Sequence, residues 1–219
     1  MIRATVTCTI DDLRQLTDST FVLRFERQGI DFEPGQYLSV GAGGDIHMRE
    51  YSIYSAQDRD FLEILVKAVP EGHVTRRLAE CRPGDTLTVE GPFGFFTIDE
   101  GWREHRHVFV GTGTGISPFH CFVGSCPELD YTLLHGIRHG AERYEHDAYD
   151  RDRLVTCTSR DGSGDYRGRV TDWFRDHRDR IDPAARYYLC GNCDMIYEAF
   201  DILQDADVPH NQLFAEVYF

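Results

Sequence analysis

The apolar pattern changes period part-way along the chain, and that change constrains the fold more than any single motif. Over residues 1–99 the segments TVTCTI, FVLRFE, QYLSV, REYSIYS, LEILVKAV and TLTVEG are short and rich in β-branched and aromatic residues. Turn chemistry separates them: DDLRQLTDS, RQGIDFEPG, GAGGD, AQDRD and CRPGD. Six such strands with one helical stretch near VTRRLAE predict an antiparallel Greek-key β-barrel, whose closure removes exposed edges. Beyond residue 104 the apolar runs HVFVG, YTLLHGI, RLVTCTS, RYYLCG and QLFAEVYF alternate with helical patterns. The expected helices are SPFHCFVGSC, AERYEHDAY, GRVTDWFRDH and CDMIYEAFDILQD. Near-continuous apolar strands alternating with helices predict an α/β parallel five-stranded sheet covered on both faces. Such sheets take ligands beyond the carboxyl ends of their strands. Two domains follow, residues 1–100 and 101–219.

Composition narrows the function classes. The net charge of −14 argues against a nucleic-acid partner, because phosphate is repelled at long range. No run of about 18 apolar residues is present, so no membrane span is expected. The opening MIRATVTCTI alternates like a strand and lacks the apolar centre of a signal peptide. Seven cysteines, an odd number, in such a chain read as reduced thiols and a cytoplasmic location.

The strand HVFVG runs into GTGTGISPF, residues 111–119, where a helix begins. Glycines let the backbone turn with positive φ and approach a ligand closely. Ser117 and Pro118 read as N-cap and first helical residue, so the loop is suited to a pyrophosphate. A tight turn without a ligand uses the same residues. The loop has no Gly-Lys-Ser/Thr, and Ile116 stands where the dinucleotide fingerprint has its third glycine. In MREYSIYSA, residues 48–56, alternation sets Arg49 and Tyr51 on one face of a strand and Glu50 and Ser52 on the other.

Taken in order, the R-x-Y-S strand, EGHVTRRL, GPFGFF, GTGTGISPF, YYLCGNCDMIYEAFDIL and AEVYF resemble the ferredoxin/flavodoxin–NADP reductase family, above all its short bacterial subclass. The resemblance covers nearly the whole chain. It implies FAD on the barrel domain and NADP on the α/β domain. Arg49 would bind the FAD pyrophosphate, Tyr51 would pack on the isoalloxazine ring, and Ser52 would hydrogen-bond near its N5 atom. Because alternation separates Tyr51 from Ser52, a bulge or a ring lying across the strand end is needed to reconcile them. Glu50, Val66, Gly72, His73, Val74 and Thr75 complete the expected FAD set, with Phe219 near the adenine.

The same resemblance assigns Thr112, Gly113 and Thr114 to the NADP pyrophosphate and nicotinamide, and Cys190, Gly191, Asn192 and Met195 to the nicotinamide end. Arg138, Ser159, Arg160 and Arg169 would hold the 2′-phosphate that distinguishes NADP from NAD. Ser52, Cys190, Glu216 and Tyr218 are the implied catalytic groups, Glu216 as proton relay and Tyr218 as an aromatic cover for the flavin. The implied activity is hydride transfer between NADPH and FAD, then single-electron exchange with ferredoxin or flavodoxin. Arg76, Arg77 and Arg82 are candidate docking cations. An NADH-dependent reductase component of an oxygenase, a free-flavin reductase and an electron-transfer subunit share the plan.

Two motifs stand outside this set. Cys190 and Cys193 have redox-dithiol spacing, whereas Cys8, Cys81, Cys121, Cys126 and Cys157 have no iron–sulfur spacing, so no fused ferredoxin domain is expected. His47, His73, His105, His107, His135 and His139 show no metal-binding spacing and are expected at the surface or in loops, His73 beside the FAD segment excepted.

Overall fold

The structure, a computed structural model, describes residues 5–98 and 101–218. It divides into two compact units: residues up to Thr97 together with His120–Ser125, and Ile98–Phe119 together with Cys126 onward.

In the first unit β1 (Val6–Gln15), β2 (Thr20–Glu26), β3 (Tyr37–Ala42), β4 (Arg49–Ser52), β5 (Phe61–Lys67) and β6 (Thr86–Phe93) form one antiparallel sheet in the order β4-β3-β6-β1-β2-β5. The placement of β6 between β3 and β1 is the non-sequential order of a Greek key. An antiparallel bridge from Ile53, just past β4, to Ile64 of β5 joins the two ends of that order and nearly closes the barrel. Cys8, Ile10, Leu23, Phe25, Leu38, Val40, Leu62 and Ile64 fill its interior, the inward face that strand alternation creates. The DDLRQ segment, expected as a turn, instead continues β1 past a bulge between Ile10 and Asp12. There Arg14 pairs with Glu63 at 3.3 Å. The helix α1 (His73–Glu80) buries Val74 and Leu78, four residues apart on one face.

In the second unit β7 (His107–Thr112), β8 (Tyr131–Ile137), β9 (Leu154–Thr158), β10 (Tyr166–Arg167), β11 (Arg186–Gly191) and β12 (Leu213–Val217) form an all-parallel sheet in the order β10-β9-β8-β7-β11-β12. The two-residue β10 adds a sixth strand to the five expected, pairing with Cys157 and Thr158. α3 (Val170–Asp176) and α4 (Cys193–Gln204) belong to this unit, and α2 (Ser117–Ser125) runs from it into the first, which holds its residues from His120 on; with α1 these are the α-helices among the described residues. Trp173 and Phe174 of α3, with Ile196, Ala199 and Leu203 of α4, pack on Val108, Val110, Leu134 and Leu189 of the sheet.

The helix expected at AERYEHDAY is absent. Three 3-10 turns, Gly140–Glu142, His146–Ala148 and Arg151–Arg153, replace it, and Glu145 at φ 48° breaks the path. The cause is burial: Tyr144 and Tyr149 are buried, and His146 turns inward to His135. Residues two apart lie about 200° apart around a helix, so a helix would send Tyr144 and His146 to opposite sides.

Candidate active site

In the parallel sheet the strand order reverses beside β7: its successor β8 lies on one side and β11 on the other. Ligands of such sheets bind outside the carboxyl ends at that switch point. Two glycine turns flank it. After β7 the backbone enters a 3-10 turn at Gly113 (φ 55°), whose missing Cβ would point into open space. After β11 the chain turns at Gly191 (φ 121°), where a Cβ would lie 2.5 Å from Thr112 Oγ1. A Cβ on Gly115 would lie 2.4 Å from the Cys190 carbonyl oxygen. The two turns therefore touch backbone to backbone, which only glycine permits. Asn192 N–H donates to Thr112 Oγ1 at 2.9 Å and locks them together.

Around this junction Cys190 is fully buried, and its Cα partner across the parallel ladder is Glu216. Burial and the Glu216 charge push the thiol well above its usual range, against a hydrogen bond from the Tyr218 side chain. Cys190 is thus a neutral S–H, and the thiolate that a redox dithiol requires is disfavoured here. Cys190 and Cys193 are both free thiols. The Tyr218 backbone N–H donates to the Gly191 carbonyl at 2.9 Å, which fixes Tyr218 beside the same turn. Thr112, Gly113, Cys190, Gly191, Asn192, Glu216 and Tyr218 are thereby brought together. Met195 is not: its side chain is buried in the α3/α4 core, and its N–H caps α4 by donating to Asn192 Oδ1 at 3.2 Å. Ser117 also departs from expectation. It lies in αR geometry inside the continuous 3-10-to-α path, with its hydroxyl donating to the Thr114 carbonyl at 2.8 Å.

The histidines expected at the surface include two that are fully buried, His107 in β7 and His135 in β8. His135 Nε2 lies 2.8 Å from the Gly113 carbonyl, and its Nδ1 lies 2.8 Å from His146 Nε2. A carbonyl only accepts, so His135 carries its proton on Nε2 and accepts at Nδ1 from His146 Nε2–H. His146 Nδ1 then accepts from the Thr156 hydroxyl at 3.4 Å. Burial drives His135 down to about 4, and burial with the neighbouring His135 drives His146 down to about 3, so both rings are neutral. This Thr156–His146–His135 chain holds the Gly113 carbonyl in place. Nothing in the sequence spacing of residues 135, 146 and 156 announces it.

A second cluster lies at the ends of β8 and β9. Arg160 N–H donates to the Arg138 carbonyl at 3.0 Å, Ser159 N–H to Ile137 at 3.1 Å, and Gly168 N–H, one residue before Arg169, to Thr158 at 3.0 Å. Arg138, Ser159, Arg160 and Arg169 are all exposed. Arg138 and Arg160 make no ion pair with any described residue. Asp161 stands beside them, held down to about 2 by N–H groups of Gly140 and Ser163.

In the barrel unit Arg49 and Glu50 are exposed, Tyr51 is half-buried and Ser52 buried. The β3–β4 ladder is regular from Val40/Arg49 to Tyr37/Ser52, so no bulge rotates Tyr51 relative to Ser52; the strand simply ends there. Among the described residues Tyr51 Oη, buried, has no hydrogen-bond partner, and burial lifts the phenol to about 12. Among the described residues Arg49 Nη1 donates only to the neighbouring Met48 carbonyl, at 3.0 Å. Gly72 begins α1 with no side-chain cap; a Cβ there would lie 2.5 Å from Thr75 Oγ1. The first-turn N–H groups of His73, Val74 and Thr75, like those of any helix start, lack intrahelical acceptors, an arrangement suited to an anion. His73 Nε2 bonds Asp45 Oδ2 at 2.6 Å, tying α1 to the β3–β4 loop that leads into Arg49. An open guanidinium, uncapped helix N–H groups and an orphaned buried phenol fit the pyrophosphate and ring of FAD. Val66 is fully buried in β5, so its side chain belongs to the core. Phe219 lies outside the described residues.

A six-stranded barrel with an anion cradle and a parallel sheet with a nucleotide-type switch point define a two-domain flavin- and nucleotide-binding oxidoreductase. Residues 7–98 match the family model for an oxidoreductase FAD-binding domain. The chain is 30% identical over 202 residues to a probable dihydroorotate dehydrogenase B (NAD(+)), electron transfer subunit, of Methanopyrus kandleri, covering 90% of this chain and 73% of that one. It is 28% identical over 209 residues to the propane 2-monooxygenase reductase component of Mycolicibacterium smegmatis, covering 86% of this chain but only 59% of that protein's length. The fold superposes with a TM-score of 0.88 on a ferredoxin NADP+ reductase from Neisseria gonorrhoeae, at 22% identity, covering 98% of this chain and 99% of that one. The chain belongs to the ferredoxin–NADP reductase family of flavin-dependent oxidoreductases. Among the described residues, no helix is long and apolar enough to cross a membrane.

Proposed function

We propose that this chain is an NADPH-oxidising reductase that hands single electrons to ferredoxin or flavodoxin. The observation that carries the nucleotide preference is the pair of open guanidiniums, Arg138 and Arg160, tied through one backbone hydrogen bond at the ends of adjacent strands. A 2′-phosphate there gains charge-assisted hydrogen bonds that a 2′-hydroxyl cannot make.

FAD, when bound, would supply the chemistry of hydride exchange with a nicotinamide and single-electron exchange with a carrier. The residues of this chain bind, orient and exclude water. Arg49 and the N–H groups of Val74 and Thr75 hold the pyrophosphate. Tyr51 presents its ring and Ser52 its hydroxyl to the flavin. Gly113 and Thr112 receive the nucleotide, with His135 fixing the Gly113 carbonyl. Cys190, neutral and buried, lines the nicotinamide end without carrying charge into it. Glu216 relays protons, and Tyr218, fixed beside the Gly191 turn, joins Cys190 at the nicotinamide end.

A second reading, an NADH-driven reductase component serving an oxygenase, is favoured by Asp161, an ionised carboxylate at the same turn. Such a group accepts a hydrogen bond from a ribose 2′-hydroxyl and repels a 2′-phosphate. The name of the Mycolicibacterium relative points the same way. The deciding experiment supplies the FAD-loaded protein with NADPH or NADH and, separately, a ferredoxin, a flavodoxin or an oxygenase iron–sulfur protein. NADPH-driven reduction of ferredoxin or flavodoxin supports the proposal. Turnover confined to NADH and the oxygenase protein replaces it with the second reading.

A further inference from the structure

We propose that Asp45, His47 and His73 form a binding site for a divalent transition-metal ion of the zinc, cobalt or nickel class. One ligand atom from each of the three side chains lies within 4.8 Å of the other two. His73 Nε2 is 2.6 Å from Asp45 Oδ2, His47 Nδ1 is 3.4 Å from Asp45 Oδ1, and the imidazole centroids are 4.8 Å apart. Two imidazoles and one carboxylate are the ligand set that borderline metal ions select, and three protein ligands leave coordination positions open.

The chain builds this cluster with some care. It lies in the loop GAGGDIHM between β3 and β4, closed by His73 at the first position of α1. Gly44 turns the loop at φ 77°, and the Asp45 N–H returns to the Ala42 carbonyl at 2.9 Å. A Cβ on Gly41 would lie 2.5 Å from the His47 carbonyl oxygen, so the loop folds tightly back on β3. Asp45 Oδ1 accepts the His47 backbone N–H at 2.9 Å, the kind of secondary hydrogen bond that orients a metal-ligating carboxylate. The Asp45 side chain is 13% exposed, whereas those of His47 and His73 are 55% and 52% exposed. The oxygen ligand is therefore held in place, and the nitrogen ligands stay reachable from solvent.

Tetrahedral bonds of about 2.0–2.1 Å place neighbouring ligand atoms roughly 3.4 Å apart. The His47–Asp45 pair already has that spacing. The His73–Asp45 pair must open from its hydrogen bond, which a rotation of the exposed imidazole accomplishes. Sequence spacing hid the set, because residues 45 and 47 meet residue 73 only through the fold.

The test uses the full-length, tag-free, FAD-loaded protein after chelator treatment. Zn²⁺ and Ni²⁺ are titrated by calorimetry into it and into the His47→Ala and Asp45→Asn variants. The proposal expects one ion per chain, a melting temperature that rises with added metal, and binding weakened at least tenfold in each variant. Flavin absorbance and thermal unfolding verify that the variants remain folded. X-ray absorption of the Zn²⁺-loaded protein then expects a first shell of two imidazoles with oxygen ligands. Absence of stoichiometric binding overturns the proposal, as does binding unchanged in both variants or a sulfur-containing shell.

Discussion

The backbone N–H of Asn192 donates to the hydroxyl of Thr112 at 2.9 Å, so the turn after β11 hangs on the side chain of the last residue of β7. Thr112→Val keeps the shape and removes the acceptor. The lost bond is worth about 1 kcal/mol. We expect a small loss of stability and a roughly five- to tenfold rise in KM for the pyridine nucleotide, with FAD content unchanged. Denaturant unfolding and steady-state kinetics check this. An unchanged KM would mean that the junction is structural only.

The buried histidine pair makes an acid-stability prediction. In the folded protein His135 titrates at about 4 and His146 at about 3, against about 6.5 when unfolded. Below about pH 6.5 the unfolded chain takes up protons that the native pair refuses, so stability falls as pH drops from there toward about 4. His146→Gln removes one of the two groups. It should cost on the order of 1–2 kcal/mol near neutral pH and make the acid limb shallower. Urea unfolding across that range checks it, and wild-type and variant curves that run parallel would contradict it.

Arg160→Ala and Arg138→Ala test the nucleotide preference. Each charge-assisted contact to a 2′-phosphate is worth about 1.5–3 kcal/mol, so each variant should lose roughly 10- to 100-fold in kcat/KM for NADPH and little for NADH. Asp161→Asn should act in the opposite sense, raising NADPH affinity. Loss for both nucleotides alike would place these arginines outside the ribose contact.

Much of this was legible from residue pattern. The six barrel strands, the switch to strand–helix alternation and the short helix at VTRRLAE follow from local period and β-propensity, which tertiary contacts reinforce. The segment AERYEHDAY was not legible, because its composition permits a helix. Only the sheet beneath it, by taking Tyr144, His146 and Tyr149 inward, excludes one. His107 and His135 were misjudged for a related reason. In a strand covered on both faces most positions are inside, so polarity no longer marks the surface. Ser117 reads as an N-cap only if the helix starts there, and the 3-10 turn from Gly113 to Ile116 moves the start upstream.

Cys190 should resist modification. It is fully buried and held protonated, so iodoacetamide near neutral pH should leave it unlabelled in the native state, while partly buried Cys193 reacts. Peptide mapping by mass spectrometry reads this directly. Cys190→Ala should retain FAD and lower the rate of hydride transfer by at least tenfold, seen in single-turnover kinetics. Rapid labelling of native Cys190 would restore the dithiol reading.

The central claim is that this chain passes hydride from NADPH to bound FAD. Anaerobic titration of the yellow protein, followed by flavin absorbance, tests it most directly. The account predicts bleaching at low NADPH concentration, with NADH far less effective. A protein that holds FAD and is bleached by neither nucleotide would contradict it.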